Sequence, residues 1–150
     1  MRSIGHLQAG KSRKHTCQTP KRAVRRSVSA GEKLLMKIKS EMRRDNVEKV
    51  LDLIDLIPFN ERTPQILVIQ GINMQLSNRE WELSDIEKCF RRALKIDSNY
   101  IDAMINLAYF LDVVQCEPQK ALYWFRRATK LTQSIMKEIQ NGIKGVYETL

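Results

Sequence analysis

The chain has 150 residues, of which 43% are hydrophobic and 29% are charged, a composition typical of one globular domain with or without a tail. Eight of the 26 basic residues and none of the 17 acidic ones lie within residues 1–30, so most of the net charge of +9 belongs to the N-terminal segment. No apolar run reaches the roughly 18 residues of a transmembrane helix, and three scattered cysteines are too few for a disulfide framework. These features argue against a membrane-spanning protein and against a disulfide-rich scaffold.

Residues 1–28 form a basic tail that lacks hydrophobic periodicity and contains glycine, proline, serine and threonine. Such a segment cannot bury enough apolar surface to offset the entropy of ordering, so we expect it to be disordered. Three roles stay open: a solvated arm, an arm that contacts nucleic acid or an acidic partner, and an organelle transit segment. Because apolar residues are sparse for a transit helix, we expect a cytoplasmic protein, with organelle import as the weaker alternative.

Capping residues and apolar spacing predict that the body, residues 29–150, consists of helices. Large apolar residues recur three or four positions apart, and no alternating strand pattern stands beside them. At three starts a Ser or Asp is followed three residues later by Glu, the pattern of a capping box. Seven helices are predicted, the last being a C-terminal capping helix. Their starts lie, in chain order, at Ser29, Asp45, Thr63, Ser84, Ser98, Pro118 and Thr132.

Two segments of the body have matching apolar patterns. A small residue, Gly71 in the first segment and Ala108 in the second, lies where two helices of a hairpin would cross closely. The pattern resembles the tetratricopeptide repeat, a helix hairpin of about 34 residues, and the resemblance covers roughly residues 30–150. The matching second helices carry Ile86, Phe90 and Ala93 in one segment and Ala121, Phe125 and Ala128 in the other.

The tetratricopeptide resemblance implies an all-α, right-handed stack of antiparallel helix hairpins without catalytic activity. The chain departs from the family pattern at Gln70, where Leu is usual, and at Ile86, where Ala is usual. In this family the first helix of each hairpin lines a concave groove that holds a peptide or helix of a partner. Carried onto this sequence, the groove residues are Gln65, Val68, Ile69, Ile72, Asp102, Ile105, Asn106, Tyr109, Asp112, Val113, Lys137 and Asn141.

One subclass of the family grips a C-terminal carboxylate with Lys, Asn and Arg side chains. Asn106 and Lys137 match two of these positions, but Val68 and Ile72 stand where Lys and Asn are needed. Asn141 stands where Arg is usual. The incomplete set argues against binding of a chaperone tail and favours an apolar ligand surface. For each apolar groove residue, packing inside the domain stays open as the alternative.

A second candidate surface consists of basic residues at equivalent positions of the two segments. The resemblance would place them side by side on the convex face, where they and the tail would meet nucleic acid or an acidic protein. The alternative is a solvated outer helix face, on which Lys and Arg are ordinary. This basic stripe comprises Arg91, Arg92, Lys95, Arg126, Arg127 and Lys130.

The body offers no catalytic or cofactor-binding pattern. Both histidines, His6 and His15, lie in the tail, which removes His-dependent catalysis and most zinc sites from the body. We therefore expect an adaptor that binds a protein or peptide and uses neither metal nor cofactor. The alternatives are nucleic-acid binding through the tail and the basic stripe, and a secretion-type chaperone.

Overall fold

The computed structural model describes residues 29–148, and the predicted tail of residues 1–28 lies outside them. Their helices are α1 (Ala30–Met42), α2 (Val47–Asp55), α3 (Pro64–Leu76), α4 (Leu83–Ile96), α5 (Ile101–Tyr109) and α6 (Pro118–Tyr147). A 3-10 turn, Phe59–Glu61, precedes α3, and a π-helical turn, Phe110–Val114, extends α5. No strand occurs in this part of the chain, which confirms the all-α class. None of its helices is both long and apolar enough to span a membrane.

The structure has six α-helices within residues 29–148 rather than the predicted seven, because the last two predicted helices are one. Helix α6 continues through Thr132, the predicted N-cap. The Thr132 hydroxyl donates a hydrogen bond to the carbonyl oxygen of Ala128 at 2.9 Å, so it is bonded inside the helix instead of capping a new one. Between Pro118 and Gly142 there is no proline or glycine, and the backbone therefore contains nothing that would interrupt the helix.

Three of the predicted helix starts are confirmed. At the start of α1 the Ser29 N–H donates to Glu32 Oε2 at 2.7 Å, and the Glu32 N–H donates to Ser29 Oγ at 3.2 Å. These reciprocal bonds form the capping box and lower the pKa of Glu32. Thr63 caps α3, and Pro118 opens α6. Local hydrogen bonding and the fixed φ of proline thus define these starts.

Three other predicted starts are shifted by one or two positions. Asp45 takes a left-handed conformation with φ of 53°, and the next residue, Asn46, becomes the N-cap of α2 by accepting from the Lys49 N–H. The N-cap of α4 is Glu82, two positions before Ser84, and the N-cap of α5 is Tyr100, two positions after Ser98. The caps of these two helices make no side-chain hydrogen bond, so their starts depend on packing instead of on a capping side chain.

The helices pack in chain order, each against the next, and α3 also contacts α5. Helices α3 and α4 approach closely at Gly71, where an added Cβ would lie only 2.7 Å from the ring of Phe90. The larger part of the core surrounds Phe90 and Phe110 and joins α2 through α6. A smaller cluster around Ile38 and Ile54 joins α1, α2 and α3. The body is therefore a run of helices, each packed against the next, with two apolar clusters in its interior.

A buried polar contact explains why Gln70 departs from the repeat pattern. The side chains of Gln70 and Arg62 are both buried, and Gln70 Oε1 accepts a hydrogen bond from Arg62 Nη1 at 2.8 Å. Arg62 also donates through Nε to the carbonyl oxygen of Ile57 at 2.9 Å and lies over the ring of Phe59. Leu at position 70 would leave a buried guanidinium without this acceptor, so Gln is the residue that fits here.

Only the first half of α6 packs into the body. Ala121 and Ala128 are buried beside α5, whereas every residue from Thr132 to Glu148 is exposed. Helix α5 has nine residues and its π-helical turn has five, whereas α6 has 30, so α5 is too short to cover the whole of α6. The second half of α6, residues 132–148, therefore extends beyond the body and is called the projecting half below.

Candidate partner-binding clefts

Two clefts flank helix α5 along its exposed face. Asp102, Ile105, Asn106 and Tyr109 lie three or four positions apart and therefore share this face. Asp102 and Asn106 line a cleft toward α1 and α3, and Ile105 and Tyr109 line a second cleft toward α6. These are called the α1–α3–α5 cleft and the α5–α6 cleft.

The α1–α3–α5 cleft has a volume of about 310 Å³ and an apolar floor. Val68 and Ile69 form this floor and are buried, because α3 is surrounded by α2, α4 and α5. Ile72 is only half-buried, so a ligand can reach its side chain. The cleft is lined by Lys39, Met42, Gln65, Val68, Ile69, Ile72, Tyr100, Asp102 and Asn106.

The edge of the α1–α3–α5 cleft is polar. Asn106 Nδ2 donates to the carbonyl oxygen of Asp102 at 2.7 Å, and this bond uses one of the two amide hydrogens. The other hydrogen and the amide oxygen make no hydrogen bond within residues 29–148. Burial, followed by the carboxylate of Asp102, raises the pKa of Tyr100, so its hydroxyl is protonated at neutral pH. The cleft thus combines an apolar floor with groups that can hydrogen-bond a peptide backbone.

The α5–α6 cleft has a volume of about 320 Å³ and is mostly apolar. Tyr109 is 57% exposed and meets the ring of Phe125 edge to face, with 5.1 Å between ring centroids. The hydroxyls of Thr129 and Thr132 donate to carbonyl oxygens of α6 itself, so they add little polarity to the wall. The cleft is lined by Ile105, Tyr109, Phe125, Ala128, Thr129, Thr132 and Gln133.

The predicted groove residues do not all lie together. The α1–α3–α5 cleft and the α5–α6 cleft contain those of α3 and of the α5 face. Asp112 and Val113 are exposed residues of the π-helical turn and line neither cleft. Lys137 and Asn141 lie on the projecting half of α6, also outside both. Asn106 and Lys137, which match two positions of the family's incomplete carboxylate-binding set, lie on separate parts of the molecule.

The sequence prediction missed several residues that line the clefts. Helix α1 contributes Lys39 and Met42, because it packs against α2 and its C-terminal end reaches the α1–α3–α5 cleft. Tyr100 enters the same cleft from the start of α5, and Gln133 enters the α5–α6 cleft because α6 is continuous. The amphipathic spacing of α1 was a usable signal for Lys39 and Met42, and the absence of proline and glycine between Pro118 and Gly142 was a signal for a continuous α6.

The six residues of the basic stripe differ in what they contact. Arg91 forms an ion pair with a glutamate one turn earlier, and the guanidinium of Arg92 lies 4.6 Å from the centroid of the Phe59 ring. Arg127 donates to the carbonyl oxygen of Ser98 at 2.8 Å. These three cations therefore have structural contacts. The remaining, exposed members are Lys95, Arg126 and Lys130.

The outer face of α6 carries a third cleft, with a volume of about 350 Å³. Three of its lining residues are cations of the basic stripe, and the ring of Tyr123 lies beside them. The cleft is lined by Gln119, Leu122, Tyr123, Arg126, Arg127 and Lys130. A phosphate or carboxylate group would meet positive charge here, so this outer cleft is the part of the stripe that best suits an acidic ligand.

Neither metal ligands nor an activated thiol stand out in the described part of the chain. Within residues 29–148 no group of three or more His, Cys, Asp or Glu side chains is placed to hold a metal ion. Burial raises the pKa of Cys89 to about 11, so this residue is a neutral thiol at physiological pH. Cys116 is exposed in the loop before α6.

Residues 5–12, Gly-His-Leu-Gln-Ala-Gly-Lys-Ser, match the letters of a phosphate-binding loop. Such a loop binds phosphate when it connects a strand to a helix, so that its backbone N–H groups converge on the ligand. Residues 29–148 contain no strand, and residues 5–12 lie outside the described part. The match therefore carries no assignment of a nucleotide site.

Comparisons of the chain with protein-family models, with curated proteins and with solved structures each find no match. The tetratricopeptide resemblance consequently rests on the residues of this chain alone.

Proposed function

We propose that the protein is a non-catalytic adaptor with a tetratricopeptide-like stack of hairpins, which binds a peptide or helix of a partner protein along α5. One observation carries the proposal: an exposed helix face with hydrogen-bonding groups has an apolar cleft on each side. Binding sites for peptides commonly combine apolar pockets with a few polar groups that fix the backbone. A cytoplasmic location is part of the same proposal.

The proposed mechanism assigns a different task to each part of the site. Apolar side chains of the ligand would enter the two clefts and displace water from Ile72 and Tyr109. The free hydrogen of the Asn106 amide would donate to a carbonyl oxygen of the ligand backbone. The α1–α3–α5 cleft is formed by helices that already pack against each other, α3 and α5.

Tyr109→Ala tests this site, and Tyr123→Ala is its matched control. Both tyrosines are 57% exposed, but Tyr109 lines the α5–α6 cleft and Tyr123 lines the outer cleft. Loss of a well-packed aromatic anchor typically weakens binding by about 10-fold or more. We expect Tyr109→Ala to lose a protein partner recovered by affinity purification, while Tyr123→Ala retains it. Circular dichroism confirms that each variant is folded; equal retention by both variants would contradict the proposal.

A second candidate function is binding of nucleic acid or of an acidic protein through the outer cleft and the tail. The cations Arg126, Arg127 and Lys130 around Tyr123 favour it. Its binding would fall steeply with salt, would weaken on deletion of residues 1–28, and would be sensitive to Tyr123→Ala. Nuclease treatment of half of each purification separates a nucleic-acid ligand from an acidic protein.

A further inference from the structure

The projecting half of α6 carries an apolar stripe that is open to solvent. Five large side chains on one side of the helix are between 40% and 73% exposed. Their spacing of one, three or four residues places them on a single helix face. The stripe consists of Ile135, Met136, Ile139, Ile143 and Tyr147. A continuous exposed patch of this kind marks a surface that is covered by another molecule.

The apolar stripe continues the helix face with which α6 packs against the body. Ala121, Phe125 and Ala128 face the core in the first half, and Ile135 and Ile139 follow them in the same helical register. This apolar face of α6 is longer than α5 and its π-helical turn together, so these elements do not cover its second half. A second helix of similar length is what would complete the packing.

The charges of the projecting half are balanced. Lys137 and Lys144 are matched by Glu138 and Glu148, and helical spacing places all four outside the apolar stripe. A helix that binds an anionic membrane surface or nucleic acid carries an excess of Lys and Arg on its polar face. This half is neutral, so the stripe suits another neutral helix better than an anionic surface.

The stripe is also self-complementary about Asn141. In an antiparallel pair of helices centred there, residues equally far before and after Asn141 lie at the same level. Ile139 then meets Ile143 of a second copy, and Ile135 and Met136 lie beside its Tyr147. An interface between two identical subunits requires this kind of self-matching pattern.

We infer that the projecting half pairs with the same segment of a second copy in an antiparallel helix pair, so that the protein is a homodimer. Gly142 favours this orientation, because it would lie beside Ile139 of the second copy, whereas a parallel pair would set two glycines opposite each other. Five large side chains, each about half exposed, can remove on the order of 500 Å² per copy from water, and flanking residues bring this toward the roughly 800 Å² of a standard interface. No residue of α6 lines the α1–α3–α5 cleft, so this cleft remains open in such a dimer.

Ile139→Glu tests the dimer in the full chain, with Ser134→Glu as the control. Both substitutions add one negative charge and a good helix former to the projecting half, but Ser134 lies on the side opposite the stripe. In sedimentation equilibrium we expect a dimer for the unmodified chain and for Ser134→Glu, and at least an approximately 100-fold larger dissociation constant for Ile139→Glu. A monomer at every concentration for the unmodified chain, or equal weakening by both variants, overturns the inference. Equal helicity by circular dichroism shows that each variant is folded.

Cysteine cross-linking tests the orientation of the pair. In a background in which Cys17, Cys89 and Cys116 are replaced, a cysteine is placed at Gln140 or at Gln133, which share one flank of the stripe. In the antiparallel pair the two copies of residue 140 lie near the centre, whereas those of residue 133 are about 24 Å apart along the axis at 1.5 Å per residue. We expect Gln140→Cys to cross-link to itself and Gln133→Cys not to. Equal cross-linking at both positions overturns the antiparallel arrangement.

Discussion

The α3–α4 and α5–α6 hairpins have similar sequence patterns but differ in how well their helices match in length. Helices α3 and α4 have 13 and 14 residues, so each covers the other along its whole length. Helix α5 has nine residues and its π-helical turn five, whereas α6 has 30. The mismatch in length between α5 and α6 therefore leaves an apolar surface on α6 that the α3–α4 hairpin does not have.

The largest contrast between the hairpins is expected at their equivalent phenylalanines. Phe90 in α4 is fully buried, whereas Phe125 in α6 is half-buried and lines a cleft. We expect Phe90→Ala to lower the free energy of unfolding by about 3–5 kcal/mol, because it leaves a cavity. Phe125→Ala should lower it by about 1–2 kcal/mol, because less apolar surface is lost. Urea denaturation measures both; similar losses would mean that the two hairpins are packed equally tightly.

A glycine pair tests the same contrast with a single kind of substitution. At Gly71 the added methyl group would lie 2.7 Å from the ring of Phe90, whereas at Gly145 nothing lies within 4 Å. Gly71→Ala should cost about 2 kcal/mol, because overpacking outweighs the gain in helix propensity. Gly145→Ala should increase helicity and stability by up to about 1 kcal/mol. Thermal unfolding followed by circular dichroism measures the change in stability of each variant. A change in the same direction for both variants would contradict the close α3–α4 crossing.

The two hairpins differ in polarity at one pair of equivalent buried positions, 70 and 107. Gln70 accepts a hydrogen bond from the buried Arg62, whereas the equivalent residue of the second hairpin is the fully buried Leu107. Gln70→Leu should cost about 1.5 kcal/mol, because a charged buried donor loses its acceptor. The double variant Arg62→Met with Gln70→Leu should recover most of that loss. Chemical denaturation of the two single variants and the double variant measures the coupling free energy, and a value near zero would contradict the contact.

The hairpins also differ in the reactivity of their cysteines, and modifying the exposed cysteine is expected to leave the stability of the protein unchanged. Cys89 is buried in α4 with a pKa raised to about 11 by burial, whereas Cys116 is exposed before α6. Iodoacetamide at about pH 8 should modify Cys116 readily and Cys89 only after unfolding. Mass spectrometry of peptides from the native protein reads out each site. Modification of both cysteines at similar rates would show that the α3–α4 hairpin opens easily.

Local signals predicted the fold better than they predicted the site. Ser29, Thr63 and Pro118 define helix starts through their own hydrogen bonds or backbone geometry, so the sequence is sufficient there. Thr132 can either cap a helix or bond back within one, and the absence of proline and glycine between Pro118 and Gly142 favours the second alternative. The clefts depend on which helices meet, so the contribution of Lys39 from α1 required the tertiary structure.

Helix α6 is a single element of secondary structure that spans two environments. Residues 118–131 pack against the core, whereas residues 132–148 are all exposed to solvent. In a lone subunit, amide hydrogens of the first part should exchange with solvent only when the domain unfolds, and those of the second part should exchange through local fraying. Partner engagement of the projecting half would slow its exchange without altering the rest of the helix.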